Sequence, residues 1–149
     1  MARSGLIASA LAVLCVLSAP AQARQPQADH EAVLIPFFEA FNAHDPEAMM
    51  AWVSEDIRIV YLSDDGSRSE VQGAENLRQS MIDYFAALPT VRSERLSTLT
   101  DGRHVAVRER ASWATGNGEL RSQTALSVYR INNGRIEAVW YYPETRAQE

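Results

Sequence analysis

FFEAFNAHDPEAMMAWVSEDIRIVYL, residues 37–62, changes from a helical to a strand-like spacing of apolar residues and so decides the beginning of the fold. Asp45 and Pro46 suit the N-cap and the first position of a short helix, residues 46–51. Residues 57–63 alternate as a strand. Upstream, helical spacing predicts an earlier helix with apolar residues Val33, Leu34, Phe37, Phe38 and Phe41. Since proline is unfavourable in a helix interior, this helix is expected either to begin near Pro36 or to bend there.

The remainder of the chain predicts a hairpin, a helix and an antiparallel meander. Asp65-Gly66 separates the first strand from residues 67–73, and residues 73–89 form a helix with an apolar stripe of Leu77, Met81, Ile82 and Phe85. Four strand-like segments follow at 91–100, 103–115, 119–132 and 135–142, separated by Asp101-Gly102, Asn117-Gly118 and Asn133-Gly134. These dipeptides are typical of tight hairpins. The order predicts an α+β fold, with three helices in the N-terminal half covering one face of an antiparallel sheet.

The N-terminus resembles an export signal. Residues 1–23 combine Arg3, an apolar run from Leu6 to Leu17 and the small-x-small sequence ending at Ala23, where cleavage is expected. The apolar run is too short to span a membrane, so we expect a periplasmic or secreted protein with no membrane association after cleavage. Residues 24–29 are interpreted as a flexible lead-in, 30–143 as the domain and 144–149 as a C-terminal tail. Cleavage removes Cys15, the only cysteine.

The amino-acid composition argues against several kinds of catalytic and binding site. All 14 basic residues are Arg, which excludes Schiff-base catalysis by Lys. The net charge of −5 and the absence of a basic cluster argue against a nucleic-acid partner. The three His residues lack a metal-ligand spacing, and the glycines fall in turns rather than in a phosphate-binding loop. Neither a metal nor a cofactor is therefore expected.

Residues 37–62, VQGAENLRQSM (71–81) and SVYRINNGRIEAVWYYPE (127–144) resemble the nuclear transport factor 2-like superfamily, in its SnoaL-like branch. The resemblance covers residues 30–143. It implies a curved sheet wrapped around helices, a conical cavity and frequent dimerisation through the sheet. Members include ketosteroid isomerase, scytalone dehydratase, polyketide cyclases and epoxide hydrolases. The positions of the ketosteroid isomerase catalytic Asp, Tyr and Asp align with Tyr61, Phe37 and Ser127, so that mechanism is not expected here.

The same alignment predicts a binding cavity that is apolar with a few polar groups. Such a lining suits a small, mostly hydrophobic ligand held by a few hydrogen bonds. The predicted ligand-binding residues are Phe37, Tyr61, Glu109, Trp113, Gln123, Ser127, Tyr129 and Tyr141.

Glu109 is the residue in this set with two opposed interpretations. In RHVAVRERASW, residues 103–113, alternation places it on the apolar face with Val107 and Ala111. Burial there raises the pKa of a carboxyl group, which would suit a general acid or base, with Tyr61 donating a hydrogen bond.

Alternatively, Glu109 is a structural or ligand-anchoring group. Arg78 or Arg95 would then neutralise it, and Gln123 and Tyr129 would supply hydrogen bonds. We favour this second interpretation, because the sequence offers these partners for an inward-facing carboxylate. We therefore expect an exported homodimer that binds a small hydrophobic or amphipathic molecule. The alternatives are a cofactor-independent isomerase, lyase or hydrolase using Glu109, and a non-catalytic dimeric interaction module.

Overall fold

A computed structural model describes residues 30–143 and 145–146. The predicted signal peptide and lead-in, and all of the tail except 145–146, lie outside the described residues. The helices are α1 (Glu31–Asn42), α2 (Pro46–Met50) and α3 (Ala74–Ala87). The strands are β1 (Val53–Leu62), β2 (Arg68–Gln72), β3 (Arg92–Asp101), β4 (His104–Ala114), β5 (Leu120–Asn132), β6 (Arg135–Tyr141) and β7 (Thr145–Arg146). The predicted α+β class is confirmed. In the part of the chain described, no helix is long and apolar enough to cross a membrane.

The strands form one curved, unclosed sheet in the order β2-β1-β6-β5-β4-β3, with β7 beside β5. Neighbours are antiparallel except β1 and β6, which run parallel. The sheet is therefore mixed rather than wholly antiparallel. A parallel pair needs a long connection, and the helix α3 and the meander β3–β5 provide it.

Hairpin turns set the register of the strand residues next to them, and register shifts within the β3–β4 and β5–β6 pairs change it further along. Asn133 and Gly134 both have positive φ, 50° and 72°, as the preferred two-residue hairpin turn requires. This turn pairs Asn132 with Arg135, and a register shift between Arg130 and Ile131 then places Tyr129 opposite Val139. The β4–β5 connection is longer than its Asn117-Gly118 dipeptide suggested and spans residues 115–119.

Helix α1 begins well before Pro36 and carries it in its interior. Both ends of the helix are tied to the sheet. His30 Nε2 lies 2.9 Å from the Gly102 carbonyl oxygen. At the other end, the Asn42 side chain donates to the Ser93 carbonyl (2.9 Å) and accepts from the Ser93 amide (2.8 Å). We infer that these attachments and the buried apolar face stabilise the helix despite its proline.

The apolar stripe predicted for α3 is correct for Leu77 and Phe85, which are buried, and wrong for Ile82, which is 39% exposed. Residues at i, i+4 and i+7 share a helix face, so Leu77 and Met81 are joined by Tyr84 rather than by Ile82. This face and the apolar face of α1 cover the concave side of the sheet.

Candidate functional site

A cavity of about 810 Å³ lies between the helices and the concave side of the sheet. Aromatic side chains dominate its lining: Phe37, Phe38, Phe41, Tyr61, Tyr84, Tyr129, Tyr141 and Tyr142. Its polar lining residues are Ser63, Asp64, Ser93, Glu109 and Gln123. The volume is that of a typical small-molecule site, and the few polar groups would orient a bound molecule.

Helices α1 and α3 and three sheet strands, β1, β5 and β6, build the aromatic walls. The helical spacing of Phe37 and Phe41 turns both rings towards the sheet, and Phe37 packs edge-to-face on Tyr129 with ring centres 6.3 Å apart. Tyr61 and Tyr141 are stacked, with ring centres 5.3 Å apart. They face each other because the parallel pairing of β1 with β6 aligns these two residues.

Glu109 provides the acidic group at the inner end of the cavity. Its side chain is only 8% exposed. One carboxylate oxygen, Oε1, accepts a hydrogen bond from the Tyr129 hydroxyl (2.5 Å) and contacts the Ser127 hydroxyl. The Ser127 hydroxyl also lies 3.2 Å from the Val107 carbonyl oxygen, and the Tyr129 hydroxyl lies 3.4 Å from that of Tyr141. The antiparallel register of β4 and β5 brings these groups to one face.

Neither arginine proposed to neutralise Glu109 forms an ion pair with it. Arg95 is the cross-strand neighbour of Glu109, yet its guanidinium pairs with Glu31 at 2.9 Å. The same guanidinium lies over the Phe38 ring, 5.5 Å from the ring centre. Arg78 pairs with Glu75 at 2.6 Å and with Glu47 at 3.0 Å. The predicted hydrogen bond from Tyr129 is present.

Burial raises the pKa of Glu109, because the charged carboxylate loses its hydration. Hydrogen bonds from Ser127, Tyr129 and Ser93, and the charge of Arg95, oppose this rise without cancelling it. Burial and the nearby Glu109 also raise the pKa of Tyr129 well above its usual range. Tyr129 therefore keeps its proton at neutral pH and remains a hydrogen-bond donor.

The second predicted catalytic residue, Tyr61, lies at the mouth of the cavity and is 39% exposed. Partial burial of its side chain, together with the charges of Tyr84 and Glu109, raises the pKa of the Tyr61 hydroxyl. This group therefore also stays protonated at neutral pH and can donate a hydrogen bond.

The cavity brings together six of the predicted ligand-binding residues: Phe37, Tyr61, Glu109, Gln123, Tyr129 and Tyr141. Ser127 is fully buried and touches Glu109 without lining the cavity. Trp113 packs against the core near the end of β4, where its cross-strand partner is Arg121, and lies outside the lining. The prediction missed Tyr84, which the helical spacing from Leu77 and Met81 could have identified.

None of the three histidines of the domain, His30, His44 and His104, lines the cavity. His44 Nε2 lies 2.7 Å from the Val91 carbonyl oxygen, and its ring stacks on Phe85 with ring centres 4.5 Å apart. His104 is exposed on the opposite side of the sheet. Within the described residues, no three His, Asp or Glu side chains gather in an arrangement that could hold a metal ion.

A family model described as the SnoaL-like domain matches residues 35–139. No curated protein matches the sequence. Similar solved structures include IdmH, a proposed polyketide cyclase from Streptomyces antibioticus, at 20% identity, with 76% of this chain and 90% of that chain covered and a TM-score of 0.64. A proposed SnoaL-like polyketide cyclase from Jannaschia has 14% identity, 80% and 89% coverage and a TM-score of 0.65.

A third similar structure is a protein with a ketosteroid isomerase-like fold from Catenulispora acidiphila, crystallised in complex with trimethylamine. It has 14% identity, 74% and 83% coverage and a TM-score of 0.64. These structures share the fold of this chain.

Proposed function

We propose that this chain, which belongs to the SnoaL-like domain family, binds a small, largely hydrophobic molecule in its cavity, with Glu109 as the polar anchor. Family membership supports the broader role of binding or processing a small molecule. The observation that carries the proposal is an 810 Å³ cavity walled by aromatic rings, with one buried carboxylate at its inner end. Convergence of a few polar groups in an apolar cavity is the usual design of a ligand site.

Native mass spectrometry of the protein purified from its own host tests the proposal. We expect a reproducible additional mass on the wild-type protein. Ala111→Phe should abolish it, because Ala111 lines the cavity and a phenyl group would fill the space. The matched control is Ala114→Phe on the same strand, whose side chain lies on the opposite face and outside the lining. A bound mass retained by both folded variants would contradict a ligand in this cavity.

A second function, acid–base catalysis, is favoured by the raised pKa of Glu109 beside protonated tyrosine hydroxyls. In this case the protein is a cofactor-independent isomerase, lyase or hydrolase, in which Glu109 transfers a proton and Tyr61 donates a hydrogen bond. Once the ligand is identified, Glu109→Gln should abolish its turnover and the associated pH dependence while preserving the fold. Unchanged turnover in that variant would exclude this mechanism.

We also propose that the outer face of the sheet, opposite the cavity, forms a homodimer contact. An apolar row crosses five neighbouring strands there: Val60, Trp140, Val128, Ala106 and Leu99. Leu126, 46% exposed, lies on the same face. Light scattering should give a dimer for the wild type and a monomer for Leu126→Glu. Leu120→Glu, at an 82% exposed strand end, is the control. A monomeric wild type would contradict the proposal.

Export remains a proposal from residues 1–23. Its test is the N-terminus of the protein recovered from the host: the intact mass should correspond to a chain beginning at Arg24. A chain retaining residues 1–23 would contradict cleavage.

A further inference from the structure

The chemical class of the ligand can be inferred from the way Glu109 is surrounded. Among the described residues that line the cavity there is no Arg and no His. The nearest candidate, Arg95, is held by two guanidinium nitrogens on Glu31, both at 2.9 Å, and lies over Phe38. The charge of Arg95 is thereby balanced by Glu31. An ionised Glu109 has no ion-pair partner of its own in the cavity.

The Tyr129 hydroxyl donates to Glu109 and favours its carboxylate form, although burial still raises the pKa of this group above its usual range. Two hydroxyls, from Ser127 and Tyr129, meet the same oxygen, Oε1. Tyr129 keeps its proton and therefore donates, so Oε1 acts as an acceptor. The Ser127 hydroxyl has one hydrogen and two acceptors within reach, Oε1 and the Val107 carbonyl oxygen, so Tyr129 is the donor assigned to Glu109. Ionisation of Glu109 is opposed by its lost hydration, and a cation in the cavity would compensate for that loss and favour the carboxylate.

The walls suit a cation that also has apolar surface. A positive charge is attracted to the face of an aromatic ring within about 6 Å, and more strongly when water is excluded. The cavity offers such rings from both layers, with Phe37 and Phe41 on the helix and the Tyr61–Tyr141 stack on the sheet. Asp64, the other acidic lining residue, adds negative charge to the lining.

From these contacts we propose that the cavity binds a hydrophobic amine in its cationic form, with Glu109 as counter-ion and the aromatic rings around the ammonium group. This inference rests on the proposed ligand-binding function and specifies its ligand class. A neutral hydrophobic molecule would leave the Glu109 carboxylate without an ion-pair partner. An organic anion would add a second negative charge beside it.

Two probes of nearly equal shape test the ligand class on the unaltered protein. Benzyltrimethylammonium carries a positive charge, and neopentylbenzene replaces its nitrogen with carbon. A purely hydrophobic cavity binds the neutral hydrocarbon more tightly, because the cation must be removed from water. We expect the opposite order in ¹H–¹⁵N chemical-shift titrations, with the cation binding about tenfold more tightly or better.

Single substitutions then test whether the preference for the cationic probe arises from the cavity. Glu109→Gln should remove the preference for the cation, and Ala111→Phe should abolish binding of both probes, whereas Ala114→Phe should change neither. The probe comparison on the wild type needs no variant to fold. Tighter binding of the cation, lost in the first two variants, supports the inference.

The remaining outcomes separate this inference from the proposed function. Equal or tighter binding of neopentylbenzene, abolished by Ala111→Phe, overturns the amine class and leaves a hydrophobic binding site. Cation binding that survives Ala111→Phe overturns the inference, because the cation is then bound outside the cavity. Failure of both probes to bind overturns both the inference and the binding function.

Discussion

Replacing Tyr129 with Phe isolates the hydrogen bond that holds Glu109. The ring is fully buried between Phe37 and Phe38, with ring centres at 6.3 and 6.0 Å, and phenylalanine preserves that packing. The substitution removes only the hydroxyl that lies 2.5 Å from Glu109 and 3.4 Å from Tyr141. Its effect on stability therefore reports the polar contact rather than lost apolar volume.

The expected loss follows from leaving a buried carboxyl with one donor fewer. Depriving a buried polar group of its partner costs about 1–3 kcal/mol in the free energy of unfolding. With a urea m-value of about 1.5 kcal/mol/M for a domain of this size, a loss of about 2 kcal/mol lowers the urea midpoint by about 1.3 M. Tyr142→Phe is the matched control, since Tyr142 is 42% exposed. It should change stability by less than about 0.5 kcal/mol.

Urea unfolding followed by tryptophan fluorescence measures both variants. The same substitution should be repeated in a Glu109→Leu background, where the Tyr129 hydroxyl has already lost its carboxylate partner. There, Tyr129→Phe should be neutral or stabilising, because the buried hydroxyl that is removed keeps only its long contact with the Tyr141 hydroxyl. A loss no larger than that of Tyr142→Phe, or an equal loss in the Glu109→Leu background, would refute the assigned role of this hydrogen bond.

Three further expectations concern stability. Because folding raises the Glu109 pKa, the penalty from this group is absent below the unfolded-state pKa and grows as pH rises towards the folded-state pKa. The stability of Glu109→Gln relative to wild type, measured by urea unfolding, should therefore increase as pH rises above about 4.3, and a pH-independent difference would contradict this. Asn42→Ala removes both side-chain hydrogen bonds to Ser93 and should cost about 1–3 kcal/mol, with loss of amide-exchange protection at Ser93. Leu34→Ala, at a fully buried site, should cost about 2–5 kcal/mol in thermal or urea unfolding. Leu120→Ala, 82% exposed, should cost less than about 0.5 kcal/mol, and similar losses at both sites would contradict the core assignment.

Much of the site could be predicted from the sequence because strand alternation has a period of two. Once Val107 and Ala111 are assigned to the apolar face, Glu109 must lie between them on that face. Tight turns extend the assignment to the residues next to them, as Asn133-Gly134 does for Asn132 and Arg135, but the register shift between Arg130 and Ile131 that places Tyr129 opposite Val139 is not encoded by the turn. The assignment of residues to the buried face of a helix was less accurate. Ile82 lies three residues before the buried Phe85, so its apolar side chain was assigned to the same stripe although it is exposed, and Tyr84, seven residues after Leu77, was missed.

The sequence by itself determined the α+β class, the hairpin order and the inward position of Glu109, because these depend on local periodicity and turn chemistry. Only the tertiary structure decided which distant groups meet. The parallel pairing of β1 with β6 stacks Tyr61 on Tyr141. Because α1 packs beside β3, Arg95 forms its ion pair with Glu31 rather than with Glu109. Charge pairing depends on distance in space, and no local pattern encodes a partner 64 residues away.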